Sequence, residues 1–197
     1  MAYHSKYLLY KTKYLNLKNQ LGGTKIALTQ VNTKIEREGF INNGSKITDP
    51  FILALLNNAY NTNIKEFIPH SDEDGEAIMW KIYYNDNLVG FGVTTDLAQF
   101  EKDHNFEEKG GIRDAKGLYI TSIAGDNKYS GVVKLLFEYI DKYAIENNYD
   151  YLLLEAKKYE PNYLVGLYCK YEFMEIKELT DGGETGTLMC KYINTLK

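Results

Sequence analysis

The stretch from Ile123 to Leu136, Ile-Ala-Gly-Asp-Asn-Lys-Tyr-Ser-Gly-Val-Val-Lys-Leu-Leu, joins the end of an apolar run to a polar loop and then to the start of a helical pattern. A strand-loop-helix junction of this kind presents free backbone amides and the positive end of a helix dipole, and so binds anions. Gly131 would let a phosphate approach with no Cβ in the way. The spacing excludes a P-loop, which needs Gly-x-x-x-x-Gly-Lys-Ser/Thr, and a dinucleotide fingerprint, which needs three glycines. An ordinary capped junction remains the alternative reading of the same residues.

Several elements must position this loop. Residues 3 to 21 place Tyr7, Leu8, Lys11, Tyr14, Leu15 and Lys18 at helical spacing before Gly22-Gly23, which predicts a short basic amphipathic helix. Ile26, Leu28, Gln30 and Val31 predict a first strand, and Asp49-Pro50 opens a helix over 51–60 as a capping Asp followed by Pro should. Two β-rich runs, 78–84 and 88–95, joined at Asn85-Asp86-Asn87, predict a hairpin. Residues 96–117 read as a charged surface insertion. Residues 118–124, 131–147 and 150–156 then form a strand, a helix and a strand, a parallel crossover. Pro161 opens a helix to about Tyr171, and 173–179 and 187–193 are two closing strands. A mixed sheet with helices on both faces satisfies this order.

The loop Lys128-Tyr129-Ser130-Gly131-Val132-Val133, followed by Leu135-Leu136, resembles the pyrophosphate loop of the GNAT acetyltransferase superfamily, Gln/Arg-x-x-Gly-x-Gly/Ala. Lys128 stands where that family has Gln or Arg, and Val133 where it has a small residue. Downstream, Leu153 to Phe173 is similar to the family's strand, helix and Tyr-x-Lys-x-Gly-Phe ending. Tyr168, Lys170 and Phe173 fall in place, Glu172 replaces Gly, and Asn162 lies one residue from the usual Asn. The resemblance is strongest over 118–193 and, through element order, reaches back to about residue 25. It implies an α/β (α+β) fold with a mostly antiparallel sheet, a central splayed parallel strand pair and helices on both faces. Residues 24–197 form the domain, and 1–23 an extension.

The same resemblance implies an N-acetyltransferase that moves acetyl from acetyl-CoA to a primary amine by direct attack in a ternary complex. Acetyl-CoA would contact Thr121, Ser122, Ile123, Ala124, Lys128, Tyr129, Ser130, Gly131, Val132, Val133, Lys134, Asn162 and Tyr168. Tyr168 is implied as the acid that reprotonates the thiolate. Glu155, a carboxylate just after three leucines, is a candidate base, directly or through a water, with a structural salt bridge equally open. The alternative function is a GNAT-fold module, CoA-binding or virion-associated, with weak turnover or none.

The acidic runs Asp72, Glu73, Asp74, Glu76 and Glu101, Asp103, Glu107, Glu108 would attract a cationic acceptor such as a polyamine, although solvated loops explain them too. With 23 basic against 27 acidic residues and a net charge of -4, nucleic acid is a poor partner. The three histidines are scattered and the cysteines, Cys169 and Cys190, have neither ligand spacing nor a disulfide framework, so no metal is expected. No membrane span is expected, and an intracellular location is. Residues 7–23 resemble an N-terminal extension found on proteins of mimivirus-like giant viruses, which implies the host cytoplasm or viral factory, with virion packaging open. The oligomeric state is open, a homodimer included, and a chain beginning at Thr24 is expected to fold.

Overall fold

The computed structural model describes residues 25–42, 46–60, 62–68, 75–96, 116–157, 163–181 and 184–193. The predicted N-terminal helix, the two acidic runs and Asn162 lie outside these residues, apart from the backbone of Glu76. Among the described residues, nine strands and three α-helices run β1 (Ile26–Ala27), β2 (Thr33–Asn42), α1 (Pro50–Tyr60), β3 (Gly75–Tyr84), β4 (Asn87–Asp96), β5 (Gly117–Gly125), β6 (Tyr129–Ser130), α2 (Val132–Glu146), β7 (Tyr151–Lys157), α3 (Tyr163–Cys169), β8 (Met174–Asp181) and β9 (Glu184–Tyr192). Seven strands form one sheet in the order β2-β3-β4-β5-β7-β9-β8. Among its described strands β5 and β7 pair in parallel and the other neighbours are antiparallel.

The local signals act as their chemistry dictates. Asp49 caps α1, its Oδ1 accepting from the amides of Phe51 at 2.8 Å and Ile52 at 3.3 Å. The β3–β4 turn is made by Asn85 and Asp86, at φ 48° and 62°, a left-handed pair matching the twist of a tight hairpin. The opening differs from the expectation of a single first strand near 26–31. Ile26–Ala27 is a two-residue strand, Gln30–Asn32 a 3-10 turn, and the first long strand is Thr33–Asn42, paired with β3 from Thr33–Tyr84 to Asn42–Gly75.

Helices cover both faces of the sheet, as expected. On one face α2 and α3 pack over Trp80, Ile82, Leu118, Ile120, Leu152, Leu154 and Met189, contributing Leu136, Phe137, Ile140, Val165 and Tyr168. Trp80 is buried there with its indole Nε1 donating to Thr94 Oγ1 at 2.9 Å. On the other face α1 buries Ile52, Leu55 and Leu56 against Ala77, Phe91, Val93 and Ala124. Beside them Tyr119, Tyr151, Leu153, Leu188 and Cys190 form a smaller cluster on that same side of the central strands.

Candidate acyl-transfer site

The ladder between β5 and β7 begins at Gly117–Tyr151 and ends at Ile120–Leu154. Both strands continue: β5 stays paired with β4 as far as Gly125, and β7 with β9 as far as Lys157. The sheet therefore forks after Ile120 and Leu154, opening a V between its two halves. At the fork β5 carries a bulge. Val93 pairs with Ser122 and Thr94 with Ile120, so Thr121 is the extra residue, its Oγ1 donating to the Val93 carbonyl at 3.3 Å. A bulge bends its strand and sharpens the local twist, which drives the two arms apart.

The arm of β5 leads straight into the polar loop and α2. Gly131 is the N-cap, in the left-handed region at φ 86° and ψ 1°, a conformation costly to any residue with a Cβ. A Cβ there would meet no atom within 4 Å, so the loop has open space at this point. The first helical bond runs from the Leu135 amide to the Gly131 carbonyl, which leaves the amides of Val132, Val133 and Lys134 without an intrahelical acceptor. Three donors and the positive helix end make a seat for an anion.

What brings α2 this close to the sheet is a set of glycines that the sequence reading did not single out. A Cβ on Gly90 would lie 2.6 Å from Val132 Cγ1 and 3.2 Å from Ile82 Cβ, and one on Gly125 3.1 Å from Val132 Cγ1. Val132 is thus a buried anchor of the helix start, and Val133 packs on Gly125 at its side. Alternating glycines within a strand, as in Gly90-Phe91-Gly92, were the available signal. Another unforeseen contact is β6, which pairs in parallel with β1: the Ile26 amide donates to the Lys128 carbonyl at 2.9 Å.

The remaining candidates fall as follows. Lys128 is exposed, its amide donating to Asp126 Oδ1 at 2.9 Å. Tyr129 is half-buried with its ring 5.5 Å from Tyr84, and Ser130 is exposed. Lys134 is exposed and pairs with Glu138 at 3.6 Å, a contact worth little in water. Ser122 and Ile123 are buried on the arm of the V, and Ala124 packs toward α1.

Tyr168 and Glu155 lie on opposite faces of the sheet. Tyr168 sits on α3, is 7% exposed, and stands edge-on to Phe137 with ring centres 6.0 Å apart. Phe173 lies 6.2 Å from it and 5.3 Å from Phe137, so the three rings pack as one triangle. Glu155 is the first residue of β7 beyond the ladder. Leu154 and Ala156 face α2 and α3, so the pleat turns Glu155 to the other face with Tyr151 and Leu153. There it lies near Tyr119, whose hydroxyl is pushed well above the ordinary tyrosine range by burial and by the Glu155 charge.

Glu172, which occupies the family's Gly position, ends α3. The Phe173 amide donates to the Tyr168 carbonyl and the Glu172 amide to the Cys169 carbonyl, both at 3.2 Å, the bond pattern of a left-handed helix stop. Glu172 holds φ 70°, and its carboxylate reaches Lys191 at 3.2 Å.

Comparisons with known proteins agree with this fold. FeeM, an N-acyl amino acid synthase from uncultured soil microbes, superposes with a TM-score of 0.55 at 14% identity, covering 85% of this chain and 94% of that one. NAA60 of Arabidopsis thaliana, solved in complex with acetyl-CoA, gives 0.54 at 17% identity, with coverage of 82% and 99%. The ribosomal-protein-S18-alanine N-acetyltransferase of Escherichia coli gives 0.51 at 17% identity, with coverage of 81% and 97%. The sequence matches no protein-family model and no curated protein. The chain has the GNAT acetyltransferase fold. Among the described residues no helix is long and apolar enough to cross a membrane, and no three His, Cys, Asp or Glu side chains gather as a metal site.

Proposed function

We propose that the chain is an acetyl-CoA-dependent N-acetyltransferase acting on a primary amine. The observation that carries this reading is the fork after Ile120 and Leu154, which opens beside a Gly131-capped helix start. The residues fit such a donor. Val132, Val133 and Lys134 supply amides for a diphosphate, Gly131 leaves room for it, and the V takes an extended arm as an added strand would. Bound acetyl-CoA would supply the activated acyl group.

Tyr168, on the face of α2 and α3, donates a proton to the departing thiolate. Glu155, on the opposite face, takes one from the amine through a water. Acid and base thus stand on opposite sides of the sheet, so donor and acceptor enter from different sides and meet in the V, which supports direct attack in a ternary complex. The acceptor is a small cationic amine, a reading supported by the Glu155 carboxylate on its side and by the net charge of -4. Glu172 adds nothing to the alternative of an inactive module, because its place is a helix stop that an ion pair with Lys191 accommodates.

Thiol release from acetyl-CoA, measured against polyamines, aminoglycosides, amino sugars and peptide N-termini, tests the proposal. Turnover with cationic amines is expected. CoA-stabilised protein without turnover on any of them would leave a binding module, and turnover confined to neutral sugars would remove the cationic acceptor.

A further inference from the structure

Gly186 of β9 faces Glu155 across the β7–β9 pair. Glu155 registers with Leu188 and Lys157 with Gly186, so the Glu155 side chain leans diagonally over β9, two residues toward the open end of the fork. A Cβ on Gly186 would lie 2.9 Å from Glu155 Cδ and 3.0 Å from Cγ, and would overlap Oε1 outright. Gly186 is buried and lies within a strand, where glycine is otherwise unfavourable. The backbone of β9 thus provides a berth shaped for one carboxylate.

We propose that Gly186 is a positioning residue for acyl transfer, holding the Glu155 carboxylate over β9, set back beside the fork rather than in it. This rests on the reading of Glu155 as the base. Held there, Glu155 leaves the V clear for the acceptor amine and receives its proton through one intervening water. With any side chain at Gly186, the carboxylate loses this berth and with it its fixed place beside the acceptor, while the donor's diphosphate seat on α2 is left untouched. Tyr119 packs on the same face, beside Leu153 within the closed ladder.

The test is a double-mutant cycle between Gly186→Ala and Glu155→Ala, read as kcat/KM for the acceptor, affinity for acetyl-CoA and Tm. Gly186→Ala should lower acceptor kcat/KM by about 10-fold or more, the scale of a small misplacement, with acetyl-CoA affinity unchanged. In the Glu155→Ala background the added methyl group occupies vacated space, so Gly186→Ala should cost nothing further in rate or Tm. Should Gly186→Ala alone fail to fold, the double variant must still fold and melt as Glu155→Ala does. The positioning role is overturned if Gly186→Ala keeps wild-type acceptor kcat/KM while Glu155→Ala is impaired. It is equally overturned if the loss is the same in both backgrounds, or if the double variant does not fold. Wild-type kcat/KM in Glu155→Ala would instead remove the base assignment itself, and this inference with it.

Discussion

Tyr168 combines a packing role with a proposed chemical one, and a single atom separates them. Its ring is fixed edge-on to Phe137 at an interplanar angle of 89°. Tyr168→Phe keeps that packing and removes the donor, so kcat should fall roughly 10²-fold with CoA affinity retained. A Phe variant with wild-type kcat, where chemistry limits the rate, would assign the proton to water or another group. Glu172→Gly tests the helix stop. It removes the Cβ from a φ of 70°, a relief of about 1 kcal/mol, and loses only a contact whose carboxylate side is 81% exposed. Tm should rise by roughly 2–4 °C, the shift that such a gain produces in a domain of this size. A fall in Tm would show that Lys191 needs Glu172 more than the backbone needs Gly. The place of Tyr168 on a helix was legible because the helical run after Pro161 is a local pattern. Gly186 was not, because the berth it forms exists only when β7 and β9 pair.

At the scale of elements, α2 is held by what the strands beneath it lack. Gly90→Val would drive a branched side chain into Val132, and a cost of about 1–3 kcal/mol is expected, as for other overpacked cores. The displacement falls on the first turn, so CoA affinity should weaken together with Tm. A variant that loses Tm alone would separate the helix seat from the anion site. CoA should raise the Tm of the wild type by mass action, and Gly131→Glu should abolish that rise by putting bulk and negative charge in the anion seat. An unchanged CoA affinity in Gly131→Glu would sink the loop assignment. The helices and the hairpin were readable because capping residues, turn residues and apolar spacing are local properties. Strand β2 was missed because its inward face carries Arg37 next in alternation after Ile35. Arg37 lies 4.7 Å from the Tyr143 ring centre and 5.9 Å from that of Trp80, covering apolar rings with a charged side chain. Its pattern therefore reads as charged coil until β3 supplies the partner.

The whole molecule carries a net charge of -4, and if the acceptor is a small cation that field should speed its capture. Acceptor KM should then rise with ionic strength between about 0.01 and 0.15 M, where the screening length shrinks from about 30 to 8 Å. A KM indifferent to salt would confine recognition to the V. The overall architecture was legible from element order, while the fork itself was not, since it depends on where one ladder stops and a bulge begins. A chain starting at Thr24 keeps β1, and β1 has its own consequence. Its parallel pairing with β6 fastens residues 26–27 to the loop that leads into Gly131. A two-residue strand opens readily, so the Ile26 amide, bonded to the Lys128 carbonyl, should exchange its hydrogen with solvent far faster than core amides. Whatever orders residues 128–131 must slow that exchange, and by reciprocity a docked β1 must tighten whatever the loop binds. The Ile26 amide is therefore a built-in reporter, readable by isotope exchange, of occupancy at a loop from which it is far removed in sequence.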